Sequence, residues 1–141
     1  MQEIANKISF AYDSLDDAFP ACDPGVEPFG SRVLVQIRTP KKKTAGGVLL
    51  VSDTRETEIY NTQVAKVLAT GSLEFKNRNT MEQWPEGSWC GPGDYVRVPR
   101  YGGDRWTVKT ADGDEAVVVI FNDLDLVGKV TGDPLAIKAF L

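Results

Sequence analysis

Four aliphatic residues, Val48, Leu49, Leu50 and Val51, sit in a stretch whose other members resist collapse. Lys41, Lys42, Lys43 and the Gly46-Gly47 pair precede them, and a polar run from Ser52 to Glu58 follows. Glycines leave the backbone unrestrained, and charged flanks give a chain little apolar surface to bury. The chemistry this permits is non-covalent: a flexible arm carrying large aliphatics suits an apolar groove on a partner. Other reactive residues offer less. The chain has no histidine, which removes His triads, His general bases and most His-containing zinc sites. Trp89-Cys90-Gly91-Pro92-Gly93 begins like a dithiol motif, but Gly93 stands where the second Cys is needed. No intramolecular disulfide can cycle there, so Cys90 reads as a partly buried turn residue. Met81, Trp84 and Trp89 are expected to pack within their own loop. The expectation is a binding protein, not an enzyme, with no cofactor and no metal.

Composition narrows the class. A chain of 141 residues is long enough for one domain with an unstapled core. A net charge of −4 favours a soluble chain and disfavours nucleic acid as the main partner. No apolar run approaches the ~20 residues of a membrane span, and the N-terminus lacks the pattern of a secretory signal. Only Cys22 and Cys90 are present, so there is no disulfide framework and a cytoplasmic location is expected.

The elements that must present the aliphatic arm are mostly strands. Ile4, Ile8, Ala11, Leu15 and Phe19 recur at spacings of three and four, which predicts one helix from Met1 to about Phe19 that docks or frays as an appendage. Pro20 ends it, and residues 21–28 form a breaker-rich connector. Strands are predicted over 32–38, 63–69, 94–99, 105–110, 115–121 and 124–130. In the third, Tyr95, Arg97 and Pro99 share one face and Val96 and Val98 the other. The fifth is apolar enough to be buried on both faces. Short strands with Gly- and Pro-containing turns and no intervening helices indicate a small antiparallel β-barrel. The loops at 40–58 and 72–91 are long for such a barrel.

In order along the chain, these segments resemble the ten-kilodalton co-chaperonin (GroES-like) family, the lids of chaperonin folding chambers. Pro28-Phe29-Gly30-Ser31-Arg32-Val33-Leu34-Val35 is similar to the family's opening strand, with Ser31 replacing its usual Asp. Thr44-Ala45-Gly46-Gly47-Val48-Leu49-Leu50 resembles its mobile loop. Gln63-Val64-Ala65-Lys66-Val67-Leu68-Ala69-Thr70-Gly71 is similar to its Gly-x-Val-x-x-Val-Gly strand, and Pro92-Gly93-Asp94-Tyr95-Val96 to its Val-Gly-Asp-x-Val turn. Tyr101-Gly102 falls at its Tyr-Gly pair, and the segments 115–120 and 123–127 resemble its closing strands.

The resemblance implies a β-barrel over residues 27–130, with a mobile loop at 40–58 and a roof-like loop at 72–91. Residues 1–26 and 131–141 would be extensions. It implies a ring, expected to be a heptamer, in which Arg32, Val33, Leu34 and Val35 of one subunit meet Leu124, Leu126 and Val127 of the next. It further implies that Gly46, Gly47, Val48, Leu49 and Leu50 bind a GroEL-type chaperonin in its ATP- or ADP-bound state, helping an encapsulated client fold. The extensions and the divergent 72–91 segment resemble bacteriophage-encoded members, for which a capsid protein would be a client. The residues alone leave open a non-catalytic adaptor β-domain or, on Lys41–Lys43 with the Tyr95/Arg97 and Arg105/Trp106 pairs, a single-stranded nucleic-acid module.

Overall fold

Val33, Val35 and Ile37 face one side of the first strand and Leu34 and Gln36 the other, and all five are buried. A strand buried on both faces must be central and covered twice, and the computed structural model shows both covers. It describes residues 14–39, 62–77, 79–111, 113 and 115–137. The elements are a single helical turn α1 (Leu15–Ala18) and six strands: β1 (Arg32–Ile37), β2 (Val64–Thr70), β3 (Tyr95–Arg97), β4 (Asp104–Lys109), β5 (Glu115–Asn122) and β6 (Gly128–Lys129). The strands form one antiparallel sheet in the order β4-β5-β1-β2-β3-β6. The mainly β, antiparallel reading therefore stands. Of the helix expected over Met1 to Phe19, only α1 falls among the described residues.

One face of the sheet closes on a single core. Val33, Val35 and Ile37 from β1 meet Ala65 and Val67, Val96 and Val98, and Val117, Val119 and Phe121. Side chains of four strands can share one cluster only if the sheet curls around it. A bulge assists the curl: opposite Leu34 and Val35 the partners jump from Ala69 to Val67, leaving Leu68 as an extra residue, and bulges bend and twist a strand. Segments between strands fill the open side. Phe75 and Cys90 are buried in the same cluster, and Trp84, Trp89 and Leu126 pack against it. The expectation that Met81, Trp84 and Trp89 pack within their own loop holds in part: Trp89 packs near Phe75 of the same loop, but both indoles also serve the barrel core, and Met81 is 47% exposed.

The second cover is the N-terminal segment. Gln36 Nε2 donates to the Pro20 carbonyl at 2.8 Å, Trp106 Nε1 donates to that of Pro24 at 3.3 Å, and Cys22 bridges Thr110. Residues 20–24 thus cross from β1 to the end of β4 over the outer face. Buried Leu34 and Val118 need such a cover, because apolar side chains gain free energy only where water is excluded.

The strand expected over 124–130 is largely absent. Asp123–Asp125 form a 3-10 turn, and only Gly128–Lys129 pair, with β3. The cause is Asp123. Its backbone N–H donates to the Ser31 carbonyl at 2.9 Å. Its carboxylate accepts the Phe75 N–H at 2.7 Å and the Leu124 N–H at 2.8 Å. A buried carboxylate holding two amides bends the chain where a ladder would need it straight. Gly71 marks another tight point: a Cβ there would overlap the Gly30 carbonyl oxygen. That carbonyl also accepts the Leu73 N–H, so the turn into β1 and the exit of β2 lock together.

Candidate functional site

The predicted docking residues Gly46, Gly47, Val48, Leu49 and Leu50 lie outside the described residues, as do Lys41–Lys43. What the structure places is their frame. The segment containing them leaves the sheet just past β1, at Thr39, and rejoins it at Thr62, just before β2. Both roots are buried and belong to neighbouring, directly paired strands. The Arg38 N–H donates to the Val64 carbonyl at 2.9 Å, so the ladder extends to the point of departure.

The residues expected at a subunit interface divide. Val33, Leu34 and Val35 are buried, and β1 is hydrogen-bonded on both edges, by β2 and by β5. The expected pairing of Arg32, Val33, Leu34 and Val35 with a neighbouring subunit is thereby corrected, since a strand has two edges and both are taken. Leu124 and Val127 are 57% and 67% exposed, and Leu126 is half-buried. They flank a groove of about 510 Å³ that also reaches Trp89, Cys90 and Val96. Beside it, β6 ends the sheet with its outer edge unpaired among the described strands.

Two residues missed in the sequence belong with these. Val26 and Phe29 are 45% and 80% exposed and border a second groove, with Arg32, Asp104 and Ile120. They sit in Gly25-Val26-Glu27-Pro28-Phe29, read from sequence only as a connector. The available signal was two large apolar residues in a segment too rich in breakers to form core. Exposed apolar residues of this size, outside any core, mark surface suited to contact with another molecule.

Cys90 performs no redox chemistry that this geometry can support. It is buried at the core edge, beside a turn closed by the Asp94 N–H donating to the Gly91 carbonyl at 3.0 Å. Gly93, at φ +94°, occupies the turn position that demands positive φ after Pro92. Burial, with the nearby Asp94 carboxylate, pushes the Cys90 thiol up to about 11 from its ordinary 9. The protonated thiol is therefore the folded-state form at neutral pH. Two outcomes are expected: Cys90 resists Ellman's reagent at pH 8 until the protein unfolds, and its contribution to stability, complete below pH 9, is lost as pH rises toward 11. Fast labelling of Cys90 in the folded protein at pH 8, read on a Cys22→Ser background because Cys22 is only half-buried, would contradict this environment.

The described strands form one curled antiparallel sheet, and the chain between its two central strands, β1 and β2, is the 40–61 segment. Residues 25–130 match the sequence model of the family described as Chaperonin 10 Kd subunit. This is most of the chain, and the chain belongs to that family. Its role is that of a co-chaperonin, a non-catalytic partner of GroEL-type chaperonins that works as an oligomeric ring. No helix among the described residues is long and apolar enough to cross a membrane.

Proposed function

We propose that the protein caps a GroEL-type chaperonin in its ATP- or ADP-bound state, docking Val48, Leu49 and Leu50 into apolar grooves of that partner, with Gly46 and Gly47 supplying the freedom to reach them. The observation that carries this reading is the family match over 25–130, which contains the Gly-Gly-Val-Leu-Leu segment between β1 and β2. Copies associate head to tail into a closed ring, a heptamer, with Val26 and Phe29 of one subunit against Leu124, Val127 and the free edge of β6 of the next. Such contact would cover exposed apolar surface and an open strand edge together. The ring works in the cytoplasm on an encapsulated client, without nucleic acid or membrane. A bulky client such as a bacteriophage capsid protein is supported by the added terminal segments and by the 72–91 segment, which departs from the family pattern.

The test is gel filtration of the protein mixed with a bacterial chaperonin. Co-elution with ATP or ADP, and none without nucleotide, is the expected result. A nucleotide-indifferent monomer would instead support the adaptor-domain reading.

A further inference from the structure

We infer that the two terminal segments, which lie outside the family match, form one cooperative brace across the roots of the 40–61 segment. Ala18 and Phe19, from the N-terminal side, share a buried cluster with Val64 and Val130, and Leu135 and Ile137 from the C-terminal side pack against it. Phe19 also meets Tyr95, ring centroids 5.0 Å apart. The outgoing root is held from both sides. The Thr39 N–H donates to the Ala18 carbonyl at 2.8 Å. The neighbouring Arg38 guanidinium, almost fully buried, donates through Nη1 to the carbonyls of Pro134 at 2.9 Å and Ile137 at 2.8 Å.

Those carbonyls are presented by a turn that Asp133 organises, its side chain accepting the Leu135 N–H and its carbonyl accepting the N–H groups of Ala136 and Ile137. The returning root is held as well, because Val64 opens β2 and lies in the same cluster. A buried guanidinium is tolerated only where its donors are satisfied. Loss of the C-terminal turn would therefore disturb Arg38, and through it Thr39 and the N-terminal segment. Phe19 and Leu135 are coupled in the same way, through shared contact with Val64 and Val130.

The consequence rests on the docking role proposed above: roots held by this brace limit how much additional backbone must be ordered when the segment binds. The brace itself is independent of that role. It is tested by amide hydrogen exchange on the full chain, reading on one terminal segment what is perturbed on the other. Leu135→Asp is expected to speed exchange of the Thr39 amide, which bonds to the opposite segment, by about tenfold or more, with β5 amides unchanged. Phe19→Ala is expected to speed exchange at Ile137 reciprocally. Should Leu135→Asp loosen β5 too, the milder Leu135→Ala decides on the same criterion. A Thr39 amide that keeps its original rate while the C-terminal turn is released overturns the brace. Failure of chaperonin capture with exchange coupling intact would instead count against the docking role alone.

Discussion

Leu49→Asp is expected to abolish capture by a nucleotide-charged chaperonin and to leave the protein's own assembly unchanged. Burying three aliphatic side chains offers roughly 1.5–3 kcal/mol each. Ordering the arm that carries them opposes this by about 1–2 kcal/mol per residue, partly offset by contacts the arm makes with itself. A single arm therefore binds weakly, and firm capture depends on several arms acting at high effective concentration. A carboxylate at the centre of the tripeptide removes the apolar gain and adds a charge to be desolvated in the groove. The loss recurs in every subunit, so avidity multiplies it. Val26, Phe29, Leu124 and Val127, proposed for assembly, lie on other segments, and the ring should run unchanged in sedimentation. Undiminished co-elution of the mutant with the chaperonin would reject the docking assignment.

Phe75→Ala carries the largest expected effect on stability, a loss of about 3–5 kcal/mol in urea unfolding. Phe75 is completely buried, and its ring lies 5.1 Å from that of Trp89, centroid to centroid. It holds this place in a left-handed backbone conformation, φ +57°. That conformation opposes a residue with a Cβ by roughly 1–2 kcal/mol. Two interactions outweigh the strain: burial of the ring in the core, and the bond from its N–H to the Asp123 carboxylate. Alanine keeps the strain and leaves a cavity, whereas glycine leaves a similar cavity but relieves the backbone. Phe75→Gly should accordingly be no less stable than Phe75→Ala, reversing the order expected of most positions. A glycine variant clearly weaker than the alanine variant would show that the backbone at 75 is not strained.

The strands were legible because the sheet's demands repeat locally. Tyr95, Val96 and Arg97 alternate as an edge-proximal strand must, and Ala116 to Val119 are apolar without a break, as burial on both faces requires. Neighbour relations were not legible. Nothing in Arg32-Val33-Leu34-Val35 says that β2 and β5 will occupy both edges, because alternation records which face is buried and not what lies beside the strand. The turn at Asp123 was hidden for a related reason: Leu124-Asp125-Leu126-Val127 alternates like a strand, and its bending depends on the amide of Phe75, 48 positions away in sequence. Phe75 itself sits among polar residues in a segment without periodicity, so its role in the core left no local trace. The tripeptide proposed to dock was conspicuous because aliphatics are out of place among lysines, glycines and acids. Its frame between Thr39 and Thr62 emerges only when the paired strands are seen together.

Leu49 is expected to contact the chaperonin only when that partner is charged with nucleotide. A photo-crosslinking amino acid placed at position 49 of the assembled protein reads this directly. A crosslink to the chaperonin is expected in ATP or ADP, and none without nucleotide. A crosslink confined to the protein's own barrel, unaffected by chaperonin and nucleotide, would contradict the proposed docking.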